Sequence, residues 1–327
     1  LEGIPLERAY HFLYTTDVHI LSLAEELGIR DRISFNKSSV SIYYNGILYP
    51  FTTPRDLLAF TPLSFINRVR TGLCGLWLSY KRHWRPLARI SAYEWLKRWC
   101  GAEATRIIWE PLLRGKFERY FDKVAMSWLW ARIRIRARSK LRGEASERLG
   151  CFDGGFNILT ERLERAICEH GGTITTNASI ERIEGGEGGD VRISVNGAEK
   201  RFSAVLATVP AHVFVRLAGH DRRIDEAYRA RLASIDYLGA VVMVFSSKQK
   251  ISDFYWHNVN DARIPFLVFL SKSVLAGAEA FGGKHIYYIG AYVPHSHRYF
   301  NDSDEAIMDE WKSGLRIMFT HFEASQI

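Results

Sequence analysis

Long apolar runs are missing from this chain of 327 residues. The two longest, Gly72–Tyr80 and Tyr237–Phe245, have the length of core segments, whereas a membrane-spanning helix needs about 18 apolar residues in succession. Hydrophobic residues nevertheless make up 47% of the chain, enough to bury a sizeable core, which excludes a disordered protein. The length predicts about two domains.

Cysteine and clustered metal ligands are scarce as well. The four cysteines form no C-x-x-C pair, and their spacing indicates neither a zinc site nor a disulfide framework: Cys74, Cys100, Cys151 and Cys168. We therefore expect reduced, mostly buried thiols in a cytoplasmic protein. The histidines lack paired ligand spacing and a serine-hydrolase elbow is absent, so the sequence predicts no metal centre and no hydrolase of that type.

A glycine-rich phosphate loop is the third absence. No G-x-G-x-x-G sequence occurs. The glycine-rich segment Gly185–Gly189 lies between two predicted strands, where we expect a hairpin loop and not the strand-to-helix turn that holds a diphosphate. The chain also starts at Leu1 without methionine and ends within a helical pattern. We expect a fragment at both ends.

The charge balance is basic. A net charge of +8 and a pI near 9.3 favour acidic partners such as nucleic acid, anionic lipid or a carboxylate substrate, with solubility as the alternative explanation. One run alternates cations with mostly small or apolar residues: Arg132, Arg134, Arg136, Arg138, Lys140 and Arg142. Flanking residues favour a helix, which would spread these cations around its axis. The run predicts a solvated surface, or a wall that faces substrate anions or a membrane. No nucleic-acid-binding fold accompanies it, so nucleic acid is disfavoured.

Local signals organise the first half of the chain. Asn45-Gly46, between Val40–Tyr44 and Ile47–Phe51, predicts a β-hairpin. Helices are expected from there to about residue 149, with start signals at Thr53-Pro54, Thr61-Pro62 and the capping box Ser91–Glu94. Most of the nine tryptophans lie in this region, which predicts a thick aromatic core or a cap over a flat ligand.

The most informative segment is Leu149–Pro210. A strand leads through a glycine pair into a helical pattern that ends near His170, and an antiparallel meander follows. The predicted strands are Thr173–Ile183, Val191–Val195 and a last segment that ends Ala204–Pro210. This order resembles the second half of the FAD domain in flavin amine oxidases, protoporphyrinogen oxidases and phytoene desaturases.

The resemblance implies FAD as the cofactor. Gly154 and Gly155 match the glycine pair that opens the family's helix, where a side chain would collide with the adjoining strand. Ile180 matches a backbone contact to the adenine. Thr208 and Pro210 match a strand-end turn whose backbone approaches the cofactor. An ordinary α/β unit without a cofactor is the alternative.

The N-terminal segment Leu6–Asp17 resembles the segment that follows the first FAD unit in the same superfamily. UDP-galactopyranose mutases carry histidines at the positions of His11 and Tyr14, and the first lies beside the flavin ring. The resemblance therefore implies that His11 is a cofactor-binding residue, whereas Tyr14 departs from the mutase pattern. A buried histidine held by a backbone carbonyl is the alternative for His11.

Two other segments resemble the substrate domain of protoporphyrinogen-oxidase-like proteins. Trp109–Phe117 matches their W-x-P-L-L-x-x-K-F segment, which implies that Arg114, with Glu110 and Lys116 nearby, meets a polar substrate end; solvated ion pairs are the alternative. Asp253–Asn258 matches an aromatic stretch on the substrate sheet. The residues implied to bind substrate there are Tyr255, Trp256 and Asn258, and an aromatic core is the alternative.

These resemblances imply an α/β (α+β) chain: an incomplete two-domain FAD-linked oxidoreductase fold with a helical cap and a mixed substrate sheet. The expected parts are the end of the first FAD segment with a hairpin (1–50), the cap (51–149), the second FAD segment (150–235), and the substrate sheet with a helix (236–327).

The implied activity is hydride transfer from a substrate C–H to flavin N5. Aromatic residues together with arginines favour a small-molecule substrate that is flat or long and apolar, with an acidic group. No obligatory side-chain base is implied, so no catalytic residue is assigned. The alternatives are a mutase-like flavin isomerase and a truncated, non-catalytic protein that no longer binds FAD. We expect a cytoplasmic protein, with peripheral membrane contact as a further possibility.

Overall fold

The computed structural model describes Gly3, residues 5–140, Gly143, Glu144, and residues 146–186 and 188–323. The chain divides into two compact units. The first unit comprises Leu1–Leu163 and Leu238–Ile327, and the second comprises Glu164–Tyr237. Both units combine helices and strands, and the first contains a mixed sheet, which confirms the expected α/β (α+β) class.

A six-stranded mixed sheet forms the centre of the first unit. Its strands follow the order β4-β3-β10-β11-β12-β9, and only the β3–β10 pair is parallel among them. Their bounds are β3 Val40–Tyr44, β4 Ile47–Pro50, β9 Leu238–Ser247, β10 Trp256–Val259, β11 Val268–Ser271 and β12 His285–Pro294. The predicted Asn45-Gly46 hairpin is confirmed: β3 pairs with β4, and both turn residues have positive φ (50° and 83°).

Strand alternation gives this sheet two different faces. One face carries Phe269 and Ile289, which pack against the helix α12 (Asp304–Met318) through Trp311 and Leu315. The apolar stripe of α12 is its buried face, and it consists of Ile307, Trp311, Leu315 and Met318. The opposite face carries the residues that build the candidate site.

Six helices cover the helical region, as expected. They are α2 Pro54–Ala59, α3 Phe65–Tyr80, α4 Ala92–Trp99, α5 Ala102–Ala104, α6 Glu110–Phe117 and α7 Met126–Arg138. A π-helical turn, Thr105–Trp109, joins α5 to α6. Pro111 has no N–H to donate to the carbonyl of Ile107, and the side chain of Asn260 donates to that carbonyl instead (2.9 Å).

Two of the three predicted helix starts in this region are confirmed. Thr53 and Asp56 form a reciprocal capping box, and Ser91 accepts from the amide of Glu94. The Thr61-Pro62 prediction is wrong, because these residues form a turn and α3 begins only after Ser64. The amide and hydroxyl of Ser64 are instead held by the carboxylate of Glu103 (3.0 and 2.8 Å).

The cap of α2 allows a stability test. We expect Thr53→Ala to lower the free energy of unfolding by about 1 kcal/mol, because the amide of Asp56 loses its acceptor. Thr61→Ala is the matched control: Thr61 caps no helix, so the loss should be below about 0.5 kcal/mol. Urea denaturation followed by circular dichroism measures both, and equal losses would contradict the capping argument.

A smaller antiparallel sheet completes the first unit, in the order β1-β5-β2. Its elements are β1 Leu13–Tyr14, β2 Ile33–Lys37 and β5 Arg148–Phe152, packed with α1 Val18–Glu26 and the start of α8 Asn157–Glu169. Gly150 is required in β5, because a Cβ there would lie 2.8 Å from the ring of Phe35. Gly28 ends α1 with positive φ (67°).

The second unit contains the predicted meander. Three antiparallel strands, β6 Ile180–Gly185, β7 Val191–Val195 and β8 Ala198–Phe202, precede the helices α9 Ala211–Ala218 and α10 Glu226–Ala233. Asn196-Gly197 forms the β7–β8 turn with positive φ at both positions. The glycine-rich segment joins β6 to β7, as expected for a hairpin loop.

Two strand predictions in the second unit are too long. Residues 173–179 are not strand, and β6 begins at Ile180; residues 204–210 are likewise irregular. Among the described residues these segments have no neighbouring strand to pair with, and pairing decides whether an apolar run becomes a strand. They leave apolar side chains in solvent, and Leu206 is 88% exposed.

Candidate functional site

A cluster of aromatic side chains lies on the face of the six-stranded sheet opposite to α12. The ring of Tyr10 makes edge contacts with Trp256 (5.2 Å between centroids) and Tyr288 (6.3 Å). Its hydroxyl shares a hydrogen bond with the hydroxyl of Tyr292 (2.8 Å). These side chains form a group of rings packed edge to face, which offers apolar contacts to a ligand.

Strand geometry explains why these residues meet. Trp256 and Asn258 are two apart on β10, so both point to the same face, and Trp256 donates its indole N–H to Asn258 Oδ1 (3.0 Å). Tyr288, Gly290 and Tyr292 alternate in the same way on β12. A Cβ at Gly290 would lie 3.1 Å from Val268 and 3.4 Å from the Tyr10 ring, so the glycine leaves space for that ring.

Lys116, near the end of α6, brings a cation to this cluster. Its ammonium lies over the ring of Tyr292, 4.9 Å from the centroid. Burial, together with the positive charges of Arg132 and Arg136, lowers the pKa of Lys116 to about 8. Lys116 thus belongs to a group of cations that an anionic ligand would stabilise.

The basic run is helical in α7 as far as Arg138, and it divides between two environments. Arg132 and Arg136 act on Lys116, and Arg136 also pairs with the buried carboxylate of Glu147 (2.9 Å). Arg134 lies over the ring of Trp130 and donates to the carbonyl of Lys81. The predicted member Arg142 lies outside the described residues.

Arg114, which the sequence assigns to substrate binding, occupies a different position from Lys116. Its guanidinium pairs with Glu110 (2.7 Å) and lies over the ring of Phe121 (3.6 Å). Two residues along a helix separate side chains by about 200°, so Arg114 and Lys116 point to different sides of α6. The geometry favours Lys116 as the cation that meets a ligand.

Tyr255 and Trp256 lie in different environments, although the sequence assigns both to substrate binding. Tyr255 is 1% exposed, and its hydroxyl has no hydrogen-bond partner within the described ranges. Burial raises the pKa of this phenol well above its usual value. Tyr255 therefore packs inside the core, whereas Trp256 and Asn258 belong to the aromatic cluster.

His11 lies on the segment that carries Tyr10. Its side chain is exposed, with Nδ1 hydrogen-bonded to the carbonyl of Ala9 (2.9 Å) and the ring 5.5 Å from Phe156. The backbone carbonyl of His11 accepts from the ammonium of Lys272 (3.1 Å), which pairs with Glu7 (3.8 Å) in a buried position. The segment is thereby fixed on both sides of His11.

The glycine pair of the first unit follows directly after β5. Gly154 and Gly155 both have positive φ (92° and 86°), which L-residues rarely adopt. Nothing lies within 4 Å of the place of a Cβ on Gly154, whereas Gly155 is bounded by Asn157 and Glu7. Glu7 Oε1 also accepts from the amide of Phe156 (3.3 Å), which positions the start of α8.

The other cofactor-binding candidates lie in the second unit. Ile180 begins β6 opposite Val195, and Thr208 and Pro210 belong to the exposed segment before α9. A groove of about 520 Å³ runs beside this segment, between the sheet and the helices of the unit. Ala207 and Val209 line the groove, and the alternating residues Thr208 and Pro210 do not.

Comparison with known proteins identifies the family. The family model described as flavin-containing amine oxidoreductase matches residues 1–326. The chain belongs to the flavin-containing amine oxidoreductase family. It is thus a member of a family of flavoprotein oxidoreductases. No curated protein matches the chain.

Solved structures show the same fold at low sequence identity. A protoporphyrinogen oxidase, described as putative, from Exiguobacterium sp. 255-15 superposes with a TM-score of 0.71 at 17% identity, covering 97% of this chain and 73% of its own. An oxidoreductase from Methanosarcina mazei gives 0.70 at 15% identity, with 96% and 73% covered. A reduced UDP-galactopyranose mutase gives 0.70 at 13% identity, with 99% and 71% covered.

The residues of the first unit fit part of a flavin site, because the space around Gly154 is open to a ligand. In the second unit, the exposed segment 203–210 belongs to no strand, which leaves its polar backbone groups available to a ligand. The aromatic cluster offers apolar walls. The printed sequence contains no glycine-rich loop for the diphosphate. In the part of the chain that the structure describes, no three metal-ligating side chains come together, and no helix combines the length and apolar character needed to cross a bilayer.

Sequence reasoning missed Tyr10, Tyr288 and Tyr292. A signal for two of them was present, because Tyr288, Gly290 and Tyr292 alternate along a segment rich in strand-forming residues. The contribution of Tyr10 could not be recognised in this way. It lies on an irregular segment, and only the docking of that segment on β12 brings it to Tyr292.

Proposed function

We propose that this protein is an FAD-dependent oxidase or dehydrogenase whose substrate is a flat or elongated apolar molecule with an acidic group. The observation that carries the proposal is the position of Lys116 over the Tyr292 ring, within an aromatic cluster of a flavoprotein oxidoreductase fold. A similar structure is named as a protoporphyrinogen oxidase, described as putative, and a porphyrinogen has both a large apolar ring system and carboxylates.

The chain's own residues bind and orient such a substrate. Tyr10, Trp256 and Tyr292 would pack against its apolar body and exclude water. Lys116, with Arg132 nearby, would bind its carboxylate. When bound, with His11, Gly154, Gly155, Ile180, Thr208 and Pro210 as the candidate contacts, FAD would accept a hydride from a substrate C–H at N5.

The phenols of Tyr10 and Tyr288 are not suited to act as bases. Burial raises the pKa of Tyr10 and of Tyr288, so both phenols stay protonated and can only donate or pack. His257 lies on the other face of the sheet, where burial lowers its pKa to about 3. It bonds Ser252 (2.7 Å) and the carbonyl of Phe269 (3.0 Å), which is a structural role. The site therefore positions a substrate and leaves the redox chemistry to the cofactor.

Flavin reduction tests the proposal. We expect purified protein loaded with FAD to lose its flavin absorbance when mixed anaerobically with a porphyrinogen or another apolar acid, and to regain it in air. Primary amines without an acidic group should give a slower reaction. Retention of the absorbance with every acid and amine would contradict the proposed oxidation.

A mutase-like isomerase is the second candidate, favoured by the similarity to the reduced UDP-galactopyranose mutase and by His11. Such an enzyme would convert a nucleotide sugar only when its flavin is reduced, without net oxidation. Product formation from UDP-galactopyranose by the reduced protein, with no reaction of the oxidised protein, would replace the first proposal. A protein that binds no flavin under any condition would support the non-catalytic alternative.

The pKa of Lys116 predicts a pH dependence. An anionic ligand needs the protonated ammonium, so affinity should be highest below pH 8 and should fall as the pH rises through about 8. Well above that pH the apparent Kd should rise about tenfold per pH unit until the lysine contributes nothing. Fluorescence titration with protoporphyrin measures this. A flat profile between pH 7 and about 9.5 would contradict the role of Lys116.

A further inference from the structure

The helix α3 exposes apolar side chains on the side that faces solvent. Its outer residues recur at helical spacing, and we refer to them as the α3 face: Ile66, Leu73, Leu76, Trp77 and Tyr80. Ile66 is 71% exposed, Leu73 60% and Tyr80 77%. The opposite side of the same helix buries Thr71 and Leu78 in the helical core. The α3 face is therefore a second apolar side of this helix, and the packing of the helical core does not require it.

Aromatic contacts extend this surface beyond the helix. Trp77 stacks on Trp95 (5.8 Å), and Trp95 contacts Trp99 (6.3 Å), whose side chain is half exposed. The ammonium of Lys81 lies 4.7 Å from the Trp77 ring. An open groove of about 500 Å³ is lined by Leu73, Leu76, Trp77, Tyr80 and Lys81. Indole and phenol rings beside a lysine are typical of surfaces that enter the boundary between lipid headgroups and acyl chains.

The chain segment that carries the α3 face has charges of one sign. Residues 57–93 contain six cations and no aspartate or glutamate: Arg68, Arg70, Lys81, Arg82, Arg85 and Arg89. Among the described residues, Arg82, Arg85 and Arg89 pair with no carboxylate. Glu103, which binds Ser64 and Asn67, is a carboxylate at the N-terminal end of α3, away from Tyr80 and Lys81. The C-terminal half of the helix and the loop after it are thus both apolar and basic.

We propose that the α3 face binds the surface of an anionic phospholipid membrane, with α3 lying in the plane of the interface. The apolar side chains would enter the headgroup boundary, and Lys81, Arg82 and Arg85 would meet lipid phosphates. A second copy of the chain fits this surface poorly, because it would place the same cations opposite one another in a protein of net charge +8. Membrane binding is independent of the proposed redox activity.

Vesicle sedimentation tests this proposal. We expect the protein to sediment with vesicles of phosphatidylcholine that contain about one-third phosphatidylglycerol, less with pure phosphatidylcholine, and less as salt is added. Leu73→Gln, Leu76→Gln and Tyr80→Gln together should lower the partition coefficient about tenfold or more, since three exposed apolar groups no longer enter the interface. Arg82→Gln with Arg85→Gln should remove most of the preference for phosphatidylglycerol.

The matched control replaces two equally exposed apolar residues on other elements. Val18 (59% exposed) and Ile47 (53% exposed) lie outside the α3 face, so Val18→Gln with Ile47→Gln should leave sedimentation unchanged. Circular dichroism checks that every variant is folded. Failure of the unaltered protein to bind either vesicle, or equal binding by the triple α3 variant, overturns the proposal. If light scattering shows a dimer and the triple variant is a monomer, the α3 face binds a second copy of the chain. That result also overturns the proposal.

Discussion

Trp311→Ala is expected to lower the free energy of unfolding of the first unit by about 3–5 kcal/mol. Trp311 is fully buried between α12 and the six-stranded sheet, with rings of Phe266 and Tyr299 5.9 and 5.8 Å away. Its indole N–H donates to the hydroxyl of Tyr299 (3.1 Å). Alanine would leave a cavity that surrounding helix and strands cannot close, and would remove that hydrogen bond.

Urea denaturation, followed by circular dichroism and by tryptophan fluorescence, measures this effect. Trp84→Ala is the control, because the Trp84 side chain is half exposed and the same atoms are removed without a cavity. Its loss should stay below about 0.5 kcal/mol. Similar losses for the two variants would show that the sheet and α12 do not form the main core of the first unit.

Lys116→Met is expected to weaken the binding of a carboxylated aromatic ligand by about 30- to 1,000-fold, whereas Arg114→Gln on the same helix should change it by less than about twofold. Lys116 is largely buried beside Tyr292, so loss of its charge leaves a bound carboxylate without its partner. Arg114 is more than half exposed and already paired with Glu110. Because methionine keeps most of the volume of the lysine side chain, the substitution separates the effect of charge on binding from the effect of packing.

Protoporphyrin and its dimethyl ester make this test specific. The two ligands share an apolar body, and only the first carries carboxylates, so Lys116→Met should affect protoporphyrin and leave the ester nearly unchanged. Fluorescence titration gives both affinities. A large loss for Arg114→Gln with no loss for Lys116→Met would favour the assignment made from the sequence and would contradict the site built around Tyr292.

Local elements could be predicted because their causes are local. The Asn45-Gly46 turn, the Thr53 and Ser91 caps and the buried stripe of α12 depend on neighbouring residues, and the structure contains all of them. The segment 173–179 could not be assigned correctly in the same way. Its β-branched residues favour a strand, but a strand also needs a partner, and the described residues offer none.

The candidate site was predictable only in part for the same reason. Trp256 and Asn258 could be chosen from an aromatic stretch that resembles a known family, but that stretch also contains Tyr255, which is core. Likewise, sequence similarity selected Arg114 as the substrate-binding cation of Trp109–Phe117, whereas the structure places Lys116 at the aromatic cluster. The choice depends on which side of α6 faces the sheet, and sequence spacing does not give that direction.

By itself, the sequence determined the class of this protein: its helices and turns, its resemblance to flavin oxidoreductases and its excess of positive charge. Only the tertiary structure decided which side chains share a surface. Tyr10, Lys116 and Tyr292 are far apart in the chain, and they meet because an irregular segment and α6 both pack on β12. Propensity acts over a few residues, whereas a binding site is made by packing between distant segments, which is the physical reason for the division.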